Sequence, residues 1–136
     1  MYNLEKRGEF VHKILIADDA KFMRTIIKSI LKKNGYEDII EACDGYEAVE
    51  LYKEHNPSLV LVDMIMPNKN GLSTLIDIME YDRNANVIIC SADRKNMQVL
   101  EALNNGSKGY ILKPFTEEII MENVNRILEN KEKKQD

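Results

Sequence analysis

The stretch LVLVDMIMPNKNG, Leu59–Gly71, decides the fold. Four apolar residues, Leu59 to Val62, lead straight into Asp63. A second apolar run then ends in Pro67 and a polar loop. Apolar residues without alternation suit a strand buried on both faces, as in a parallel sheet. A charge at the end of such a strand is costly unless something pairs with it. The fold therefore has to bring a partner to Asp63.

Outward from this stretch the same grammar repeats. KILIA (13–17), DIIEA (38–42), LVLV (59–62), NVIIC (86–90) and YIL (110–112) read as strands. Between them lie helical patterns. Phe22, Met23, Ile26, Ile27, Ile30 and Leu31 form an apolar stripe over 20–34 that stops at Asn34-Gly35. Asp44 is placed to cap the next helix, with Glu47 as the second half of a capping box. That helix buries Ala48, Val49 and Tyr52 and ends before Pro57. Leu72, Leu75, Ile76 and Met79 mark a third helix. Met97, Leu100 and Leu103 mark a fourth, shorter one, with a C-cap at Asn105-Gly106. Thr116 is placed to cap a fifth, with Ile120, Val124, Ile127 and Leu128 inward.

Five strand–helix units in strict alternation predict an α/β fold, a five-stranded parallel sheet with helices on both faces. The flavodoxin-like order 2-1-3-4-5 puts the first and third strands side by side at the switch point, where a crevice opens at the strand C-termini. The family resemblance given below also implies this order. Residues 12–130 are expected to form one domain, with an N-terminal extension (1–11) and a polar, fraying tail (131–136).

The 136 residues suffice for one domain with a core. Hydrophobic residues are 44% and charged residues 31%, a globular composition. The net charge of -4 does not favour nucleic acid. No apolar run approaches the roughly 20 residues of a membrane span, and no secretory signal is visible. A cytoplasmic location is expected. Cys43 and Cys90 read as two small buried residues; three strand spacings of about 4.8 Å put them ~14 Å apart, beyond disulfide reach. Asn105-Gly106-Ser107 fits a glycosylation sequon by chance in a chain without a signal peptide.

In the proposed order the strand ends line one rim. The first strand ends in Asp18-Asp19, the third in Asp63, the fourth in Ser91 and the fifth in Lys113-Pro114. Alone, each reads as a cap, turn or solvated loop residue. Together they bring three carboxylates, a hydroxyl and an ammonium to one pocket. Carboxylates so close repel, and one takes up a proton unless a cation joins them. Oxygen ligands with room for water suit Mg²⁺. With Lys113 and Ser91, these are parts for stabilising a phosphoryl group as it transfers to a carboxylate oxygen. Asp63, being central, is the nucleophile.

DD after the first strand, VDMIMP after the third, SA after the fourth and KPF after the fifth resemble the receiver domain of two-component response regulators. The resemblance spans about residues 12–130. It implies that Asp63 is phosphorylated by a histidine kinase or small phosphodonors. It implies Mg²⁺ held by the side chains of Asp19 and Asp63, by Asp18 through water, and by the backbone carbonyl of Ile65. Ser91 would grip a phosphoryl oxygen, Lys113 would pair with it, and Tyr110 would be the aromatic switch. The Lys113-Pro114 bond would be cis. Ser91 stands where threonine is commoner, and Asn70 where aspartate is frequent.

After Phe115 there is room for one helix and a tail, so a stand-alone, monomeric receiver is expected, with output by protein contact. It would not be an enzyme, though it assists its own phosphorylation and dephosphorylation. DDAKFMR (18–24) and CSA (90–92) resemble chemotaxis regulators most closely. The family's output face implies Arg94, Val99, Tyr110 and Phe115 as contact residues. The flagellar motor switch is the expected partner, beside a kinase and a phosphatase. Asn96 and Asn123 stand where such regulators often carry lysine. Ile65 and Asp93 should border the phosphoryl group on its solvent side. Three alternatives stay open: a phosphorelay intermediate, a flavin-binding protein, and a phosphatase with an aspartate nucleophile. The second would want a Ser/Thr/Gly-rich loop where Asp18-Asp19 stands. The third usually has a second aspartate where Ile65 stands.

Overall fold

The structure, a computed structural model, describes residues 11–92 and 96–135. Strands and helices alternate: β1 (Lys13–Ala17), α1 (Lys21–Lys33), β2 (Asp38–Ala42), α2 (Gly45–His55), β3 (Leu59–Asp63), α3 (Gly71–Tyr81), β4 (Val87–Ser91), α4 (Asn96–Asn104), β5 (Gly109–Leu112) and α5 (Glu117–Gln135). The sheet has the order β2-β1-β3-β4-β5, and every adjacent pair is parallel. This is the flavodoxin-like arrangement expected from the strand pattern.

Alternation along the strands feeds two cores. Leu15, Ala17, Val60, Val62 and Ile89 face α2, α3 and α4, where Tyr52, Leu75, Ile78 and Ala102 complete one cluster. Ile14, Ile16, Leu59, Leu61, Ile88 and Cys90 face α1 and α5, where Ile27, Leu31, Ile120, Val124 and Leu128 complete the other. Burial of β3 from end to end explains its unbroken apolar run.

The helix signals act as read. Asp44 Oδ1 accepts from the Glu47 amide at 2.8 Å, and Glu47 Oε1 accepts from the Cys43 amide at 2.7 Å. Thr116 Oγ1 accepts from the Ile119 amide at 3.2 Å. Gly35 and Gly106 take the left-handed φ values of 95° and 103° that end α1 and α4.

Four expectations need correction. The apolar stripes of α1 and α4 are wider than the sheet can cover, so Phe22 (66% exposed), Ile26, Met97 (78%), Leu100 and Leu103 point outward. Cys43 is exposed, because it follows the edge strand β2 and precedes the cap of α2; Cys90 is buried, and both thiols are free. Asp63 and Ser91 are the last residues of their strands, and β4 starts one residue later than read. Finally, α5 runs on to Gln135, since the Glu and Lys of the expected tail are good helix formers. Residues 1–10, Asp93 and Arg94 lie outside the described residues, as does the side chain of Asn96.

Candidate functional site

The strand order brings the loops after β1, β3, β4 and β5 to one rim. The Asp18 amide donates to the Ala42 carbonyl at 3.1 Å, one step beyond the β1–β2 ladder. This holds Asp18 at the rim with 3% exposure. Its Oδ1 accepts from the Ala20 amide at 2.9 Å, which turns the chain into α1. Its Oδ2 accepts from Lys113 Nζ at 3.2 Å. Asp19, the next residue, is exposed.

Asp63 is buried at the end of β3, and its Oδ1 meets Lys113 Nζ at 3.0 Å. The loop after it folds back tightly. The Met64 amide donates to the Cys90 carbonyl, and the Gly71 amide to the Met64 carbonyl, each at 2.8 Å. A Cβ on residue 71 would stand 2.5 Å from the Asp63 carbonyl oxygen. Glycine there lets α3 start against the Asp63 backbone. Ile65 stands at the mouth, 69% exposed.

Ser91 ends β4 at 1% exposure. The Lys113 amide donates to its carbonyl at 2.9 Å, so β5 delivers Lys113 next to Ser91. The Lys113-Pro114 bond is cis. Tyr110, on β5, is half-buried against the α2–α4 core. Phe115 packs on the other one.

Asp18, Asp19 and Asp63 can each offer one oxygen such that all lie within 4.8 Å of one another. Hard oxygen donors at that spacing fit a divalent cation such as Mg²⁺. The electrostatics show the strain. Burial pushes the Asp63 carboxyl above its ordinary range; the Lys113 hydrogen bond opposes this, and the charges of Asp18 and Asp19 add to it. Burial pulls Lys113 down, but its hydrogen bond to Asp63 and the charges of Asp63 and Asp18 outweigh that and raise it. One ammonium thus serves two carboxylates while a third stands by.

Two residues of the rim were missed in the sequence. Gly71 carries the tight loop, and its signal was a glycine closing a polar loop eight residues after Asp63. Arg24 donates from Nη1 to the Asp18 carbonyl at 2.7 Å. Its signals were a cation one turn into the helix that follows Asp18-Asp19 and its place at the end of DDAKFMR, though neither gave it a role.

A parallel sheet with an acidic rim and a lysine bridging two of its carboxylates has a known class of relatives. The model of the response regulator receiver domain matches residues 14–125. The chain is 46% identical over 117 residues to the chemotaxis protein CheY of Bacillus subtilis (strain 168), covering 86% of this chain and 98% of that protein. It is 44% identical over 115 residues to CheY of Thermotoga maritima, covering 85% and 96%. Among solved structures, the CheX–CheY–BeF3–Mg²⁺ complex of Borrelia burgdorferi matches with a TM-score of 0.82 at 36% identity, covering 85% of this chain and 88% of that one. The chain belongs to the response regulator receiver family, as a CheY-like receiver of two-component signalling. Membership sets the receiver reading above the flavin and phosphatase alternatives. The rim agrees, with carboxylates after β1 and the apolar Ile65 two residues beyond Asp63.

Proposed function

We propose that the chain is a phosphoacceptor: Asp63 takes a phosphoryl group from the phosphohistidine of a histidine kinase, with Mg²⁺, and signals by protein contact. The observation that carries this is the spacing of Asp18, Asp19 and Asp63 within 4.8 Å, with Lys113 bridging two of them. An Asp63 carboxylate oxygen forms the new bond to phosphorus, and the phosphorus–nitrogen bond to histidine breaks. Acetyl phosphate would donate in the same way, losing acetate. Lys113 and Ser91 hold the phosphoryl oxygens. Asp19 and Asp63 would hold the metal through their side chains, Asp18 through water and Ile65 through its carbonyl. When bound, the ion neutralises the rim and draws charge from the phosphoryl oxygens. The Mg²⁺ in the Borrelia complex supports this reading.

The receiver spans residues 12–130, preceded by 1–11 and followed by 131–136, into which α5 continues as far as Gln135, and works as a cytoplasmic monomer that is not an enzyme. Among the described residues no helix is long and apolar enough to cross a membrane. Chemotaxis is the favoured setting, from the CheY relatives. Output runs through α4, β5 and α5, where Met97, Leu100, Leu112 and Ile119 expose apolar surface. A protein such as the flagellar motor switch docks there, and a phosphatase resets the site. Ser91 and Tyr110 couple the two regions, biasing a pre-existing equilibrium. Ser91→Ala should still accept phosphate but bind its partner no better when phosphorylated; partner titration with and without phosphodonor checks this.

The direct test is incubation with acetyl phosphate and Mg²⁺, then mapping of the modified residue by mass spectrometry. Label on Asp63, lost on chelation and in Asp63→Asn, is expected. Full labelling of Asp63→Asn overturns the assignment.

A further inference from the structure

Arg24 lies on none of the four strand ends, yet it reaches the rim. Its side chain is 14% exposed and bridges two elements. Nη1 donates to the Asp18 carbonyl at 2.7 Å, and Nε to Glu41 Oε1 on β2 at 3.0 Å. Lys28 Nζ donates to the other oxygen, Glu41 Oε2, at 3.2 Å. The Arg24 amide donates to the Ala20 carbonyl at 3.1 Å, so backbone and side chain close the same turn twice. Burial raises the Glu41 carboxyl, but the hydrogen bonds and charges of Arg24 and Lys28 outweigh this and lower it. Glu41 is therefore an ionised anchor, and such charge-assisted bonds are the stronger kind.

The Asp18 carbonyl is one end of the planar peptide unit whose other end is the Asp19 nitrogen. Pinning that oxygen fixes the plane from which the Asp19 side chain departs. The Asp18 carboxylate has its own restraints, Ala20 and Lys113. Among the described residues no hydrogen bond holds the Asp19 carboxylate. Its position depends on its backbone, which Arg24 restrains at the Asp18 carbonyl, alongside the bonds of the Asp18 amide to Ala42 and of the Ala20 amide to the Asp18 carboxylate.

We propose that Arg24, anchored by Glu41, is a positioning residue that sets where the Asp19 carboxylate stands for a divalent cation. The inference rests on the Mg²⁺ reading above. It makes a prediction opposite in sign to simple electrostatics. Arg24 is a cation near a cation site, so its charge alone opposes metal binding, and removing it should tighten binding. Loss of positioning should weaken it.

The experiment is calorimetric titration of the unphosphorylated chain with Mg²⁺, at a temperature where each variant is folded by circular dichroism. Removing a group that orients a metal ligand typically costs about 10–100-fold in affinity. Arg24→Ala should weaken Mg²⁺ binding by about tenfold, the low end, because Arg24 acts through backbone. Arg24→Lys keeps the charge but cannot bridge two acceptors with a planar fork, so it should lose nearly as much. Glu41→Gln preserves shape, and should lose less. Labelling by acetyl phosphate should shift to higher Mg²⁺ in Arg24→Ala and recover at saturation. Unchanged or tighter Mg²⁺ binding in Arg24→Ala and Glu41→Gln overturns the proposal, even if both melt earlier. A wild-type chain that binds no Mg²⁺ overturns the functional reading, and this inference with it.

Discussion

The two ends of the sheet are built from the same strands and treat polar groups in opposite ways. At the N-terminal end the groups pair off. His12 Nδ1 meets Ser58 Oγ at 3.2 Å, Asn86 Nδ2 donates to the Ser58 carbonyl at 3.1 Å, and Tyr36 donates to Asn125 Oδ1 at 3.1 Å. At the C-terminal end three carboxylates cluster and one ammonium pairs with two of them. The first end is settled by hydrogen bonds between groups that are neutral or can be. The second is left with excess negative charge that a bound cation can relieve. The proposed site lies where the polar groups are not balanced.

The largest break in this contrast is Asp63→Asn. Besides losing the label, it should melt higher than wild type at neutral pH in chelator. Burial, with the Asp18 and Asp19 charges, makes the folded chain hold the Asp63 proton more tightly than the unfolded chain does. More protons bound in the folded state mean that stability falls as pH rises through the window above the ordinary aspartate range. At neutral pH the ionised rim is thus a cost that asparagine removes. A ligand at 100 times its dissociation constant adds about 2.7 kcal/mol. Wild type should gain that much from Mg²⁺ in thermal melts, and Asp63→Asn much less. Equal gains would mean that the rim is not the metal site.

Lys113→Met attacks the same imbalance from the other side. Breaking a fully buried pair costs about 3–5 kcal/mol. The Lys113 side chain keeps 20% exposure and the carboxyls can take up protons, so a loss of about 1–3 kcal/mol is expected. Urea unfolding should show the gap to wild type at pH 7 and a smaller gap as pH falls and Asp63, whose carboxyl is already pushed up by burial, takes up a proton. A gap that stays constant would mean that lost packing, not charge, sets the cost.

At the quiet end, Ser58→Ala removes the hydroxyl that meets His12 Nδ1. One hydrogen bond is worth about 1 kcal/mol. Urea unfolding should show that loss, with Mg²⁺-dependent labelling of Asp63 at the wild-type level. Reduced labelling would show that the two ends are coupled through β3.

How much of this could be read beforehand divides along the same line. The parallel sheet and the five polar groups at four strand ends were legible in apolar runs that each end in a polar group, because burial on both faces leaves little choice of composition; the strand order was also implied by the family resemblance. The facing of helices was harder. Ile27 and Ile26 are both apolar and adjacent, and only the width of sheet beneath α1 leaves the first buried and the second 45% exposed. Met97 and Leu100 on α4 went astray for the same reason. Arg24 could not be placed because its bonds join α1, the loop after β1 and β2, three elements that meet only once the sheet forms. Gly71 needed the close approach of α3 to Asp63 before its missing Cβ had meaning.

The smallest effect concerns how long the imbalance stays neutralised once Asp63 carries a phosphoryl group. Hydrolysis needs a water in line with the bond from phosphorus to the Asp63 oxygen, and placing that water is most of the chemistry. Ile65 stands at the mouth of the rim with 69% of its surface exposed. Its side chain offers no hydrogen bond, and as a branched apolar group it would shield the approach. Its exposure also makes it a safe site to change, since little packing is lost. Ile65→Asn would give the water a donor and an acceptor in place of a shield. One modest hydrogen bond made in the transition state is expected to speed loss of phosphate by about threefold, or ~0.65 kcal/mol. The measurement is decay of phosphoprotein after the donor is removed, at constant Mg²⁺, with Ile65→Val as the companion variant. Valine keeps an apolar cover and should decay close to wild type. Asparagine decaying no faster than wild type would show that shielding at Ile65 does not set the lifetime, and that the water is positioned from elsewhere on the rim.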